Sequence, residues 1–122
     1  MNLVLCGSMS FKNDIINLKN TLETLGHSVE IPLECIEGKP KEVASLAHFN
    51  RIISDKTDAI LVVNQDKKDL KNYIGPNSFA EIAFAFFFNK KIFLLNDIYS
   101  PYQDELLGWQ AIPLNNDLER LI

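Results

Sequence analysis

The chain has 122 residues, of which 47% are apolar and 23% charged, and its formal net charge is −4. That length supports one continuous core and is too short for two, so a single domain over 1–122 is expected, and the ordinary globular composition excludes a long disordered tail. The acidic balance, with lysines and arginines scattered among carboxylates, argues against a nucleic-acid polymer as partner, since a phosphate chain needs clustered basic residues.

Cys6 and Cys35 are the only cysteines, with no C-x-x-C pattern and no histidine cluster beside them. Neither a disulfide framework nor a structural zinc site follows from that spacing; no metal or cofactor is expected, and a reducing compartment is. The segment Met1-Asn2-Leu3-Val4-Leu5 lacks the basic flank of a signal peptide. The longest apolar run, Ile82 to Phe88, is far short of the roughly 20 residues that span a bilayer. The expectation is a cytoplasmic protein with no membrane partner.

Leu3-Val4-Leu5-Cys6, ended by Gly7-Ser8, reads as a strand buried on both faces, as in a parallel sheet. Ile15, Leu18, Leu22 and Leu25 recur at spacings of three and four and predict an amphipathic helix closed by Gly26. Residues 27–31 alternate up to Pro32, as an edge strand does. The 34–41 stretch, with Gly38 and Pro40, has the chemistry of a mobile loop bordering the site. Val43, Leu46 and Ile53 mark a second helix over about 41–56, and Ala59-Ile60-Leu61-Val62-Val63 is the most β-like run, expected at the sheet centre. A polar, basic 65–75 segment precedes a third helix over about 78–89 and a fourth strand over 91–95. A short helix near 102–107, a short strand at Ala111-Ile112-Pro113 and a terminal turn over 117–122 complete the reading. Right-handed crossovers on such a sheet give an α/β, doubly wound, flavodoxin/Rossmann-like fold of about five parallel strands in the order 2-1-3-4-5. Its ligand crevice lies at the carboxyl ends of strands one and three.

Three segments converge on that crevice: the turn Cys6-Gly7-Ser8-Met9-Ser10, Asn64 at the end of strand three, and Gly75-Pro76-Asn77-Ser78 entering helix three. The first turns a strand into a helix through glycine and points backbone N–H groups and two hydroxyls at a guest, most often phosphate. Equally, Gly7 can simply make a tight turn while Ser10 caps helix one. Glu81 is the only charge in a helix otherwise apolar on every side, which predicts its burial and a carboxylate suited to nucleophilic or acid/base work. Ser78-x-x-Glu81 is also a capping box, in which the carboxylate only satisfies backbone N–H groups. The same all-apolar helix predicts a homodimer through Phe84, Phe87 and Phe88, or else a cover made by Tyr99, Tyr102 and Trp109 from the same chain. His48 and Arg51, three apart, read either as a base and an anion ligand or, more ordinarily, as a solvated face. Asp66-Lys67-Lys68-Asp69 reads as an exposed loop.

Cys6-Gly7-Ser8, the passage Ser54-Asp55-Lys56-Thr57-Asp58-Ala59-Ile60-Leu61-Val62-Val63, and above all Asn77-Ser78-Phe79-Ala80-Glu81-Ile82-Ala83-Phe84-Ala85 resemble the nucleoside 2-deoxyribosyltransferase superfamily, which includes 2'-deoxynucleoside 5'-phosphate N-hydrolases. The resemblance implies that Glu81 is the nucleophile that attacks the anomeric carbon. It places Gly7, Ser8, Met9 and Ser10 at the 5' end of the sugar and Ser78 beside the sugar, in a typically dimeric protein that binds a nucleoside or its 5'-monophosphate. Asn77 and Ala83 stand where the signature prefers glycine. Asn64 and Asn50 stand where family branches carry acidic residues, so they imply hydrogen bonding to substrate without proton transfer. Two functions are therefore expected as alternatives: an N-glycosidase or deoxyribosyltransferase, and a non-catalytic nucleotide-binding or sensor module with Glu81 as a helix cap.

Overall fold

The computed structural model describes residues 1–32 and 40–121. Of the 34–41 loop only Pro40 and Lys41 belong to them, and Cys35 lies outside the described residues. In chain order the regular elements are β1 (Asn2–Cys6), α1 (Lys12–Thr24), β2 (Ser28–Glu30), α2 (Lys41–Ile53), β3 (Ala59–Val62), α3 (Pro76–Phe87), β4 (Lys91–Leu94), α4 (Gln103–Gly108) and β5 (Ile112–Pro113). Every strand pairing is parallel and the sheet order is β2-β1-β3-β4-β5, the expected doubly wound arrangement. Leu3 lies opposite Ala59 and Cys6 opposite Val62, so β1 and β3 end level with each other at the crevice.

The period of two along each strand divides the core. Leu3, Leu5, Leu61 and Val63 meet Phe11, Ile15 and Leu22 on the α1 side. Val4, Cys6, Ile60 and Val62 meet Ile52 of α2, Ile82 and Ala85 of α3, and Leu106 of α4 on the other. Cys6 therefore faces the layer that carries α2 and α3.

Helix ends are set locally. Gly26 takes φ +97°, with Gly26 N–H donating to the Glu23 carbonyl and His27 N–H to the Leu22 carbonyl, so α1 closes in a Schellman motif as the glycine predicts. Asn89 and Gln110 take the left-handed position after α3 and α4 with the same pair of bonds. α3 begins earlier than the capping-box pattern implies: Gly75 is its N-cap and Pro76 its first residue, where proline's missing N–H costs nothing.

Two sequence expectations change. In α2 the buried stripe is Ala44, His48 and Ile52, whereas Val43 and Leu46 face outward, Leu46 being 64% exposed. Apolar spacing chose the wrong face because the residue that completes the buried stripe is a histidine. Around α3 the intrachain reading of the apolar helix holds on one side. The chain's own C-terminal aromatics cover Phe79, which lies 4.3 Å from Tyr102, and Phe86, which stacks on Trp109 at 5.4 Å. Phe84, Phe87 and Phe88 remain exposed. Among the described residues no helix is long and apolar enough to cross a membrane.

The α2 assignment has a direct check. Ile52→Ala, emptying a fully buried site, should lower unfolding stability by about 2–4 kcal/mol. Leu46→Gln should stay within about 0.5 kcal/mol. Urea denaturation of both variants reverses the assignment if the order is inverted.

Candidate functional site

A cavity of about 220 Å³ opens where β1 ends, between α2 and α3. It is smaller than the roughly 300–1,000 Å³ of pockets that enclose a drug-sized ligand, so its guest is small or partly exposed. Gly7, Ser8 and Met9 form one rim. Ser8 caps the single 3-10 turn over Met9–Phe11, its Oγ accepting from Ser10 N–H at 3.2 Å, so the cap is Ser8 and not Ser10. Asn77, Ser78 and Glu81 of α3 form the opposite rim, and Lys41, Ser45, His48 and Phe49 of α2 the third side. Tyr73 closes the end of the cavity, with Lys67 4.9 Å above its ring, so one cation of the 66–69 charge run supports the wall.

Glu81 is buried, as its surroundings predict, but it does not cap the helix. With Gly75 at the N-cap, Ser78 sits inside the first turn and Glu81 a turn further in, out of register for a capping box. Its neighbours come from other elements. His48 Nε2 lies 3.2 Å from Glu81 Oε2, Cys6 Sγ lies 3.5 Å from the same nitrogen, and the thiol hydrogen-bonds Glu81. The donor atoms of Cys6, His48 and Glu81 all fall within 4.8 Å of one another, and all three residues are buried. Sequence spacing carries no metal motif because the three are distant along the chain, yet the fold gathers a ligand-like set.

Protonation follows from the surroundings. Burial first, and then the Arg51 charge, lower the His48 pKa to about 4 against partial opposition from the Leu5 backbone, so the ring is neutral at pH 7. Nδ1 is buried without a hydrogen-bond partner. An unmet lone pair is cheaper than an unmet N–H, so we assign the proton to Nε2, where it donates to Glu81. Burial, and then the neighbouring Glu81, push the Cys6 thiol well above its ordinary value, so the thiol keeps its proton. A carboxylate held between these two donors, within reach of the cavity, is an arrangement suited to catalysis or to ligand binding.

The other sequence candidates separate. Gly7, Ser8, Met9, Asn77 and Ser78 line the cavity with Glu81. Ser10 and Asn50 are exposed and do not line it. Asn64 is fully buried with its amide spent elsewhere: Nδ2 donates to the Asp97 carbonyl at 2.7 Å, and Oδ1 accepts from Asn96 N–H at 2.9 Å. It ties the end of β3 to the turn after β4 and does not reach the cavity. Arg51 donates to the Ile31 carbonyl at 2.8 Å, while His48 is 2% exposed and lines the cavity, which rules out the solvated-face reading and leaves the one that places it at the crevice. Sequence reasoning placed Cys6 at the end of the first strand and in the turn at the crevice but gave it no chemical role; the inward phase it shares with Val4, and the 44/48/52 stripe, are the signals that bring Cys6 and His48 together.

No protein-family model, curated protein or solved structure matches the chain.

The neutral imidazole makes a pH prediction. Because His48 titrates near 4 when folded and near 6.5 when unfolded, the unfolded chain binds the extra proton between those values. Stability from this group is complete above pH 6.5 and falls as pH drops toward 4. Between pH 7.5 and 4.5 the wild type should lose about 2–3 kcal/mol more than His48→Gln, measured by urea denaturation. Parallel losses in the two proteins contradict a neutral buried ring.

Proposed function

We propose that this protein is a cytoplasmic N-glycosidase or deoxyribosyltransferase that cleaves the N-glycosidic bond of a nucleoside or nucleoside 5'-monophosphate through a glycosyl-Glu81 ester. The observation that carries the reading is the Glu81 carboxylate at the cavity, oriented by the Cys6 thiol and His48 Nε2–H and facing the Gly7–Ser8 turn. Among the described residues Glu81 is the only carboxylate on that cavity. An oxygen of Glu81 attacks the anomeric carbon as the carbon–nitrogen bond breaks, and the base departs with the bonding pair. Water or a second base then attacks the same carbon and frees the carboxylate, giving net retention.

The cavity walls support the same substrate class. Phe49 and Tyr73 offer aromatic faces to a base. Ser8, the N–H groups of its turn, and Lys41 offer donors to a 5'-phosphate or hydroxyl. The sequence resemblance assigns Glu81 and Gly7–Ser8 the same roles. The competing binding-module reading depended on Glu81 as a helix cap, a position that Gly75 holds instead.

The test is chromatographic detection of free base from a panel of nucleosides and 5'-monophosphates, comparing wild type with Glu81→Gln. Glutamine keeps the acceptor oxygen for Cys6 and His48 but is no nucleophile, so base release should fall by about a thousand-fold or more with the melting temperature little changed. If neither protein releases base while nucleotides raise the melting temperature of both, the protein is a binding module.

A homodimer through the exposed side of α3 completes the proposal. Phe87 is 78% exposed beside Phe84 and Phe88, a patch that water disfavours. Sedimentation analysis should give a dimer for wild type and a monomer for Phe87→Glu; a monomeric wild type at micromolar concentration removes this part of the proposal.

A further inference from the structure

The geometry points to a mononuclear zinc-type site made by Cys6 Sγ, His48 Nε2 and a Glu81 carboxylate oxygen, with a fourth ligand position opening on the cavity. Tetrahedral zinc with bonds of about 2.3 Å to sulfur and 2.0–2.2 Å to nitrogen and oxygen sets S and N about 3.5 Å apart and N and O about 3.4 Å apart. The corresponding separations here are 3.5 and 3.2 Å. The third side is no longer than 4.8 Å, which a small side-chain rotation closes. Each donor sits on a different regular element, β1, α2 and α3, so the set is held by the fold and not by a flexible loop.

Donor chemistry narrows the ion. A thiolate with an imidazole and one carboxylate suits zinc and its borderline neighbours, and not magnesium or calcium, which take oxygen sets. When Nε2 binds a cation the ring proton must sit on Nδ1, which has no acceptor in the metal-free arrangement, so binding requires the ring to shift until that N–H meets a backbone acceptor such as the Leu5 carbonyl, which already acts on the ring. The thiol proton leaves to solvent as the S–metal bond forms. His48 and Glu81 line the cavity and Cys6 lies beneath them, so the remaining ligand position points to solvent or substrate.

One consequence rests on the reading of Glu81 as nucleophile: an ion that takes the carboxylate's lone pair stops glycosyl transfer, so zinc silences the enzyme.

Cobalt(II) titration of the full chain, freed of metal by chelation and kept reduced, tests the site without activity. A single equivalent should produce a thiolate-to-cobalt charge-transfer band and the intense visible bands of four-coordinate cobalt, and one equivalent of zinc should erase both. Cys6→Ser should abolish the charge-transfer band and weaken zinc, measured by chelator competition, by at least about a hundred-fold, while Cys35→Ser changes neither. His27→Gln controls for the amino terminus, whose nitrogen lies 3.1 Å from His27 Nδ1. A wild type with no such band, or a band that survives Cys6→Ser or disappears with Cys35→Ser or His27→Gln, overturns the site. Should Cys6→Ser melt early, the wild-type cobalt spectrum together with His48→Gln decides the matter, since loss of Nε2 must disturb the visible bands. Base release is read in the same samples. Release from metal-free protein that one equivalent of zinc stops supports both readings; a cobalt spectrum as expected with no release from metal-free protein leaves the metal site standing and removes the nucleophile.

Discussion

A carboxylate taken out of water costs several kcal/mol unless hydrogen bonds replace the lost solvent, and the placement of α3 answers to that cost. Glu81 lies in a helix with no other charge, so its donors have to come from outside. They come from the last residue of β1, Cys6, and from the buried stripe of α2, His48. α3 is satisfied only where both donors reach it. The packing of α2 on α3 and of α3 on the sheet is therefore set by a polar contact inside a core that elsewhere consists mainly of aliphatic and aromatic side chains. That same contact lies at the floor of the cavity, so the feature that specifies the packing is also the feature that holds the candidate functional carboxylate.

The sheet order supplies the place. With β2 and β3 on either side of β1, the chain leaves β1 toward one face of the sheet and β3 toward the other, and the carboxyl ends of the two strands frame a crevice. The turn after β1 is held tight against that frame. A Cβ on Gly7 would lie 3.2 Å from Ile15 Cδ1 and 3.3 Å from Val63 Cβ, so glycine lets the backbone hug α1 and β3 while Ser8 and Met9 reach the rim. At the end of β3 the order of duties is reversed. Asn64 points at the neighbouring turn instead of the cavity, and its amide fixes the 96–97 backbone.

The fold was legible because each of its signals is local. Unbroken apolar runs specify strands buried on both faces, Gly26 specifies a helix end, and the alternation of strand and helix limits the topology to very few orders. Glu81 was legible as a lone charge in an apolar helix. The pairing of His48 with Cys6 was not, because a polar residue drops out of a hydrophobic count even when it completes a buried stripe, and nothing in the sequence brings residues 6, 48 and 81 together. Val43 and Leu46 misled for the converse reason, being apolar residues on an outward face. Asn64 shows a further limit: position at a strand end is readable from the sequence, whereas the direction of its side chain depends on the partner loop, 32 and 33 residues further along the chain.

The sides of α3 meet different partners, and Phe87 stays exposed. Ile82 and Ala85 rest on the sheet, Ser78 and Glu81 face the cavity, and Phe79 and Phe86 lie under the C-terminal aromatics. The remaining side carries Phe84, whose ring lies 4.7 Å from that of Phe49. Phe49 in turn is a wall of the cavity. An aromatic ring gripped on one face is held on the other, since close-packed groups transmit displacement and do not absorb it. Covering Phe84 from outside, as in the proposed dimer, would therefore restrain one wall of the cavity through a single pair of rings.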